Sequence, residues 1–538
     1  MKAPGNIVMR RMRGCPQSLA IAAALLAPAV AHAQGTPRGF WPVAGADAAH
    51  NGWQKAETAL SPETITTNFK FLWKLKLGAG AAKSSSFTEP LLTPGLITGK
   101  GFKDLAFVAD AHTLYAVDSE LGALVWQKEM PSQPGAGRPG CTGANLQVVT
   151  EPPKVIHFGA HKPATTRPAK PTPPPSEDPV PPSERRLGAS AGGGYFGLRG
   201  VYVLTSDGYL HEQIMATGLD YAPPVKFISQ PGGSSFGLNM NDKNVYAASS
   251  SACRNVANAL WSIDLNDEAY TLKSYKPQKL SFSGLTAPAI GRDGDLYLVT
   301  GSGSADAATG AYPNSVVALS GDGLKAKDWY TPSTPGKAWN AGPVVFPYKE
   351  RELLAAPGKD GTLLLLDTAS LGGTDHHTPL AQTEKIFSST KHEEWNGLAA
   401  WQDKTGAVWI FASYSGPLAN AAAFTTANGP APHGSIAAFK VEEKDDHTTL
   451  TPAWVSRDLS SPAPPVVANG LVFALDGGKA SVHATLYALD AATGKQLFSS
   501  GDTIQSWTHL AGMSVGDGHV FFTTHDNTLY SFGIPLEH

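Results

Sequence analysis

The chain has 538 residues, with 42 basic and 45 acidic side chains and a formal net charge of −3. That balance leaves no electrostatic footprint for nucleic acid, and 42% hydrophobic with 9% aromatic residues is ample for a core, which excludes a wholly disordered chain. Fifty-six glycines and 42 prolines beside only 16% charged residues exclude a helical bundle, which needs charged outer faces and few breakers, and indicate short strands joined by turns.

Taken from the N-terminus, the first element is a targeting segment. Arg10, Arg11 and Arg13 precede an apolar run, Leu19 to Val30, that ends in Ala31-His32-Ala33. A basic region, an apolar region and an A-x-A site make a secretory signal peptide over residues 1–33. The run is shorter than the roughly 20 apolar residues that span a bilayer, and no later stretch is long enough, so no transmembrane segment is expected. The product is expected to be soluble and periplasmic or secreted; Arg10-Arg11 leaves both the general and the twin-arginine export routes open. Cys15 precedes the apolar run, whereas a lipid-attachment cysteine would follow it, and it leaves with the signal. Cys141 and Cys253 then remain, an even pair in an oxidising compartment. The absence of C-x-x-C-H excludes covalently attached c-type haem.

After a lead-in over residues 34–68, one phrase recurs. It reads Leu114-Tyr115-Ala116-Val117-Asp118 with Leu121-Gly122 and Val125-Trp126, and again Leu486-Tyr487-Ala488-Leu489-Asp490 with Thr493-Gly494. Further copies are Leu260 to Asp264, Val316 to Leu319 and Leu363 to Asp367; looser ones lie at Gly208 to Leu210, Ser435 to Phe439 and Leu529 to Phe532. Each copy follows a strand-like run, among them Leu105 to Val108, Val201 to Leu204, Leu296 to Val299 and Val520 to Thr523. A strand of small residues precedes these, as at Pro288-Ala289-Ile290 and Pro465-Val466-Val467. Eight units of four short strands, recurring roughly every 45 to 60 residues, predict an all-β, eight-bladed β-propeller of four-stranded antiparallel blades over residues 69–538. The last unit is one strand short. Phe69 to Leu75, unassigned at the other end, is expected to complete it and so remove the free sheet edges. Two stacked sandwiches are the alternative that periodicity alone leaves open.

The phrase Leu486-Tyr487-Ala488-Leu489-Asp490-Ala491-Ala492-Thr493-Gly494-Lys495, with its strand-ending tryptophan, resembles the repeat of the pyrroloquinoline-quinone (PQQ) dehydrogenases and their non-enzymatic relatives. The opening Trp41-Pro42-Val43-Ala44-Gly45, with Asn51-Gly52 and Leu72-Trp73-Lys74, is similar to that family's N-terminal lead-in. The resemblance runs from Trp41 to Phe532 and implies the fold more than the activity.

Two segments interrupt the rhythm. Residues from about Glu151 to Ser190 are Pro-rich, which reads as an extended, flexible excursion that buries no core. Pro417 to His433 interrupt the sixth blade, either as a lid over the adjacent face or as a long loop.

In a four-strand blade, the connections between blades and the loops between second and third strands emerge on one face. That face collects Trp339-Asn340, Glu394-Trp395-Asn396 and Trp507-Thr508-His509 from the connections, and Ser304, Asp306, Lys359 and Asp360 from the inner loops. An aromatic and amide collar around a funnel suits a flat polar ligand; equally, tryptophans pack a propeller axis. The repeat register also puts Cys141 and Cys253 on this face in adjacent blades, so a disulfide between them is expected. The resemblance to quinoproteins makes sharper demands: PQQ with calcium or a lanthanide, oxygen ligands for that hard cation, an aspartate base, a basic residue and adjacent cysteines. Lys359 falls where the family's basic residue lies. Ser304, in Gly301-Ser302-Gly303-Ser304, replaces the metal-binding Asn, and Asn340 replaces the base, which an amide cannot be. No adjacent cysteine pair exists. The sequence therefore favours an exported propeller that binds or scaffolds an unidentified protein or small molecule at the funnel face. The propeller subunit of the outer-membrane β-barrel assembly machinery is an example in kind. A PQQ-dependent alcohol or sugar dehydrogenase with an atypical site is the alternative. Asp375-His376-His377 reads as a solvated loop away from this face.

Overall fold

The structure, a computed structural model, describes residues 39–78, 87–131, 146–150, 181–187, 200–228, 234–241, 243–250, 258–277, 280–282, 287–306, 308, 310–333, 339, 341–358, 360–387, 394–508 and 512–535. No helix among them is long and apolar enough to cross a membrane.

Eight antiparallel blades follow one another around a ring. Blade 1 comprises Leu91–Thr98, Gly101–Ala109, Thr113–Asp118 and Ala123–Glu129. Blade 2 comprises Gln147–Thr150, Gly200–Leu204, Tyr209–Ile214 and Val225–Lys226. Blade 3 runs from Ser234–Met240 to Lys273–Tyr275, and blade 4 from Ala289–Ile290 to Ala326–Tyr330, with Leu280–Phe282 as an additional edge piece. Blade 5 spans Val344–Tyr348 to Ala381–Gln382, blade 6 Glu394–Gln402 to His447–Val455, and blade 7 Val466–Ala468 to Gln496–Ser499.

The middle strands of each blade are apolar because neighbouring blades cover both their faces; Leu363, Leu364, Leu365 and Leu366 are all buried. Outer strands alternate instead, and Lys70–Lys76 is buried nowhere along its length. That strand is the one expected to close the ring. It pairs antiparallel with Thr528–Gly533, from Lys70 opposite Gly533 to Lys76 opposite Thr528, and completes blade 8 beside Ser514–Gly516 and His519–Thr524.

The recurring phrase has a mechanical meaning. Asp490 Oδ1 accepts hydrogen bonds from the Thr493 amide and hydroxyl, which folds the turn after the third strand and ends it at Gly494 in the left-handed region (φ 71°). The Trp454 ring of the preceding blade lies on that glycine, so close that a Cβ there would stand 2.5 Å from it, and the indole N–H donates to Ala491 O at 3.0 Å. Trp126 occupies the same socket at Gly218, donating to Met215 O at 2.9 Å. Trp73 does so at Gly122, donating to Ser119 O at 3.2 Å. The repeat is thus a set of sockets into which consecutive blades dock.

The lead-in has a role that its sequence did not announce. Residues Gly39 to Gln54 bond to the innermost strand of every blade, in blade order. Trp41 exchanges backbone hydrogen bonds with Leu92 of blade 1, and Pro42 O accepts from Thr150 of blade 2. Ala48 O accepts from the Asn239 amide of blade 3 at 2.9 Å and from Ile290 N of blade 4. Ala49, Asn51 and Gly52 carbonyls accept from Val345, Ala400 and Val467 of blades 5, 6 and 7. Gln54 Nε2 then donates to Val515 O of blade 8 at 3.0 Å and to Phe40 O at 2.8 Å, joining the two ends of the segment. These contacts lie toward the turns between first and second strands, so the segment plugs that mouth of the central channel. From there the chain leaves along Val467–Ala468, in parallel pairing. It passes a short helix, Pro62–Thr67, capped by Ser61, and reaches its closing position in blade 8.

The second interruption is described in full and the first only at its end. Most of the Pro-rich stretch lies outside the described residues; its end is held to blade 3, with Tyr270 Oη donating to Leu187 O at 3.3 Å and Arg186 3.5 Å from Glu268. The interruption of blade 6 runs outward rather than across the funnel. Thr425–Thr426 pairs with Trp454–Val455 on the outermost strand, and Asn428 bonds to Gly494 O and Gln496 N of blade 7. It is a brace between two blades.

Candidate functional site

On the face opposite the plug, the connections between blades meet the loops between second and third strands. Trp395 Nε1 donates to Gly358 O at 2.8 Å, Ser461 O accepts from Gly477 N, and His525 N donates to Trp507 O at 2.8 Å. These three bonds each join a blade entry to a neighbouring inner loop.

The side chains divide into packing and exposed groups. Trp395 is buried, edge-on to Phe387 with ring centroids 5.0 Å apart. Trp339 is buried in the cluster that joins blades 4 and 5, with Tyr330, Val345 and Leu354 around it. Both therefore pack the ring rather than offer a stacking surface. Trp507 is half-buried and stacked on His525, centroids 4.1 Å apart at 18°. Glu394 is exposed, and Asn396, half-buried, donates to Ser415 Oγ at 3.0 Å. Ser304 and Asp306 are exposed, and Asp360 Oδ1 is taken up by the Thr362 hydroxyl at 2.7 Å. Asn340, Lys359, His509, Cys141 and Cys253 lie outside the described residues, and with them the expected disulfide.

Sequence reasoning missed the groups at the channel floor. Glu89, just before the first strand of blade 1, accepts from Trp41 Nε1 at 2.6 Å and Gly45 N at 2.8 Å, and so latches the plug. Burial raises its carboxyl from an ordinary value of 4.5 to about 7, against the opposing effect of those two donors. Its second oxygen lies over Gly512, where no Cβ would fit. His50 bonds to Ala44 O through Nδ1 at 2.8 Å, and its Nε2 lies 3.1 Å from the Asn239 amide; burial lowers its pKa below 6.5. No periodic signal marks a single glutamate before a proline, which is why neither group stood out.

His376 and His377 follow a short 3₁₀ turn at the outer rim. His376 stacks on Trp329 (centroids 3.6 Å apart), which in turn stacks on Tyr312 (3.9 Å), and His376 Nδ1 is 3.0 Å from Asp328. The stack joins blades 4 and 5, while Asp375 and His377 are exposed, as in the solvated loop expected.

A quinone and its metal fit these residues poorly. Two of the three tryptophans are committed to packing, and Asp306, Asp360 and Glu394 are not gathered around one point. Among the described residues, the one trio of acidic groups close enough to share an ion is Asp104, Glu120 and Asp517. It lies at the turns of blades 1 and 8, on the plugged face.

No protein-family model matches the chain, and no curated protein matches it. Among solved structures, the quinohemoprotein alcohol dehydrogenase from Comamonas testosteroni is similar, with a TM-score of 0.58 at 13% identity, over 93% of this chain and 81% of that one. The quinohemoprotein alcohol dehydrogenase ADHIIG from Pseudomonas putida HK5 gives 0.56 at 14% identity over the same shares. At these identities the likeness speaks for the fold alone: the chain is an eight-bladed β-propeller closed by an N-terminal strand, similar in fold to the propellers of those two dehydrogenases.

Proposed function

We propose that this chain is an exported, non-catalytic propeller that binds or scaffolds a partner or small ligand at its connection face. The observation that carries the reading is the plug. A segment bonded to all eight inner strands lies across one end of the ring, which favours approach of a ligand from the connection face. The commitment of Trp339 and Trp395 to packing supports a binding role over quinone chemistry. Glu394, Asn396 and the Trp507–His525 stack are among the exposed or half-exposed groups of that face suited to hydrogen bonding and stacking.

The test is reconstitution of the purified protein with PQQ and calcium, or PQQ and a lanthanide. We expect no stoichiometric quinone absorbance and no turnover of alcohols or sugars. A bound quinone with turnover of either substrate class overturns the reading in favour of a dehydrogenase. Export is tested separately by fractionation and N-terminal sequencing, with a mature chain beginning at Gln34 as the expected result.

A further inference from the structure

The turns between first and second strands are short and polar in most blades, as at Asn469-Gly470 and Asp517-Gly518. Blade 1 is different. Its second strand pairs with the third only from Leu105, opposite Asp118, while the hairpin runs on through Leu96–Lys103, Ile97–Phe102 and Thr98–Gly101. The overhang carries Ile97 and Phe102 as a cross-strand pair, 49% and 77% exposed. The turn after the third strand and the fourth strand that follows it add Leu121 and Leu124, 62% and 43% exposed. Four of the eight exposed large hydrophobic side chains among the described residues therefore sit in one blade, a concentration that scattered surface apolar residues do not explain.

The register puts charge beside this patch. Phe102 and Asp104 alternate onto the same face of the second strand, and Leu124, opposite Val117 and Ala106, continues it. Asp104 lies with Glu120 and Asp517 so that their carboxylates are within 4.8 Å of one another. One oxygen of Asp104 accepts from Gly95 N at 2.6 Å. The nearby Lys103 is spent on Asp118 at 2.7 Å, and among the described residues no cation is paired with the trio. Burial, then mutual repulsion, raises both Asp104 and Glu120.

We infer that this overhang is a docking surface for an extended segment of a partner protein that sets an arginine or lysine beside an aliphatic or aromatic side chain. The apolar group covers Ile97 and Phe102, and the cation relieves the three carboxylates. The same negative charge disfavours an anionic lipid surface. This surface is on the plugged face and does not depend on what the funnel binds.

The test is fluorescence anisotropy of the whole protein with three labelled synthetic peptides, alternating Leu/Arg, Leu/Ser and Leu/Glu, at 50 and 500 mM salt. We expect the Leu/Arg peptide to bind at least tenfold more tightly than the other two, and chiefly at low salt. I97S/F102S should weaken it at least tenfold with an unchanged melting temperature. E120Q/D517N should flatten the salt dependence, and V482S, an exposed apolar residue of another blade, should change nothing. Equal binding by I97S/F102S, or no preference among the peptides, overturns the inference. Sedimentation velocity adds a further outcome: self-association of the parent protein, abolished by I97S/F102S, would overturn it by making a second copy the occupant. Each result is separable from the quinone reconstitution, which reads the other face.

Discussion

Trp73, near the N-terminus, lies against Gly122 of blade 1 while its strand completes blade 8, and its indole N–H donates to Ser119 O at 3.2 Å. The seam of the ring is therefore held by the same socket that joins blades within it.

Gly122→Ala should be costly. The position has φ 64°, and an added methyl would enter the van der Waals envelope of the Trp73 ring. Backbone strain alone amounts to roughly 1–2 kcal/mol, and displacing the ring should bring the loss to about 2–4 kcal/mol. Urea unfolding should show a lowered midpoint with little change in slope; an unchanged midpoint would contradict the socket.

Removing residues 69–77 should open the ring. Thr528–Gly533 would lose its partner, and the facing edge of blade 8 would become a template for intermolecular pairing. Size-exclusion chromatography is expected to show aggregation; a monomer with normal melting would count against closure by this strand.

Gln54→Ala cuts the clasp that joins the plug's two ends. It deletes donors to two buried carbonyls, Phe40 O and Val515 O. A loss of about 1–3 kcal/mol follows, with increased hydrogen exchange at Trp41 and Val515 as the local readout.

The Glu89 latch predicts a pH dependence. Its folded pKa of about 7 lies above the ordinary 4.5, so between those values the folded chain holds a proton that the unfolded chain has released. Stability from this group is then highest below pH 4.5 and falls as pH rises through about 7, by on the order of 3 kcal/mol in total. His50, His211 and His519 act in the opposite sense, since desolvation lowers their pKa values and stability rises with pH toward 6.5. Glu89→Gln keeps an acceptor for Trp41 and removes only the first contribution. The difference in melting temperature, variant minus parent, should grow from pH 5 to pH 8; a flat difference would sink the assignment.

The blades were legible because burial on both faces forces an apolar run at each middle strand, as at Leu363–Asp367, and because the turn chemistry of Asp490 to Gly494 is copied around the ring. Even the displaced strand at Lys70–Lys76 could be read, as a unit one strand short at the end and one strand over at the start. The plug could not. Gly39 to Gln54 has no period, and its hydrogen bonds are mostly made by backbone atoms, which any sequence supplies. The tryptophans were ambiguous for a related reason: Trp395, at the start of a first strand, and Trp507, in a connection, both stand at blade entries, and only the surroundings, Phe387 for one and His525 for the other, decide which is packed and which faces out.

The plug also orders events in time. Gln54 and Val515 are separated by 461 positions, and at roughly 5–20 residues per second of synthesis the second appears tens of seconds after the first. A segment that needs all eight inner strands has no complete site until the last is made, and the closing strand waits for the same moment. A segment made before any blade is thus among the last to settle, which makes ring completion a late, whole-chain step of high contact order.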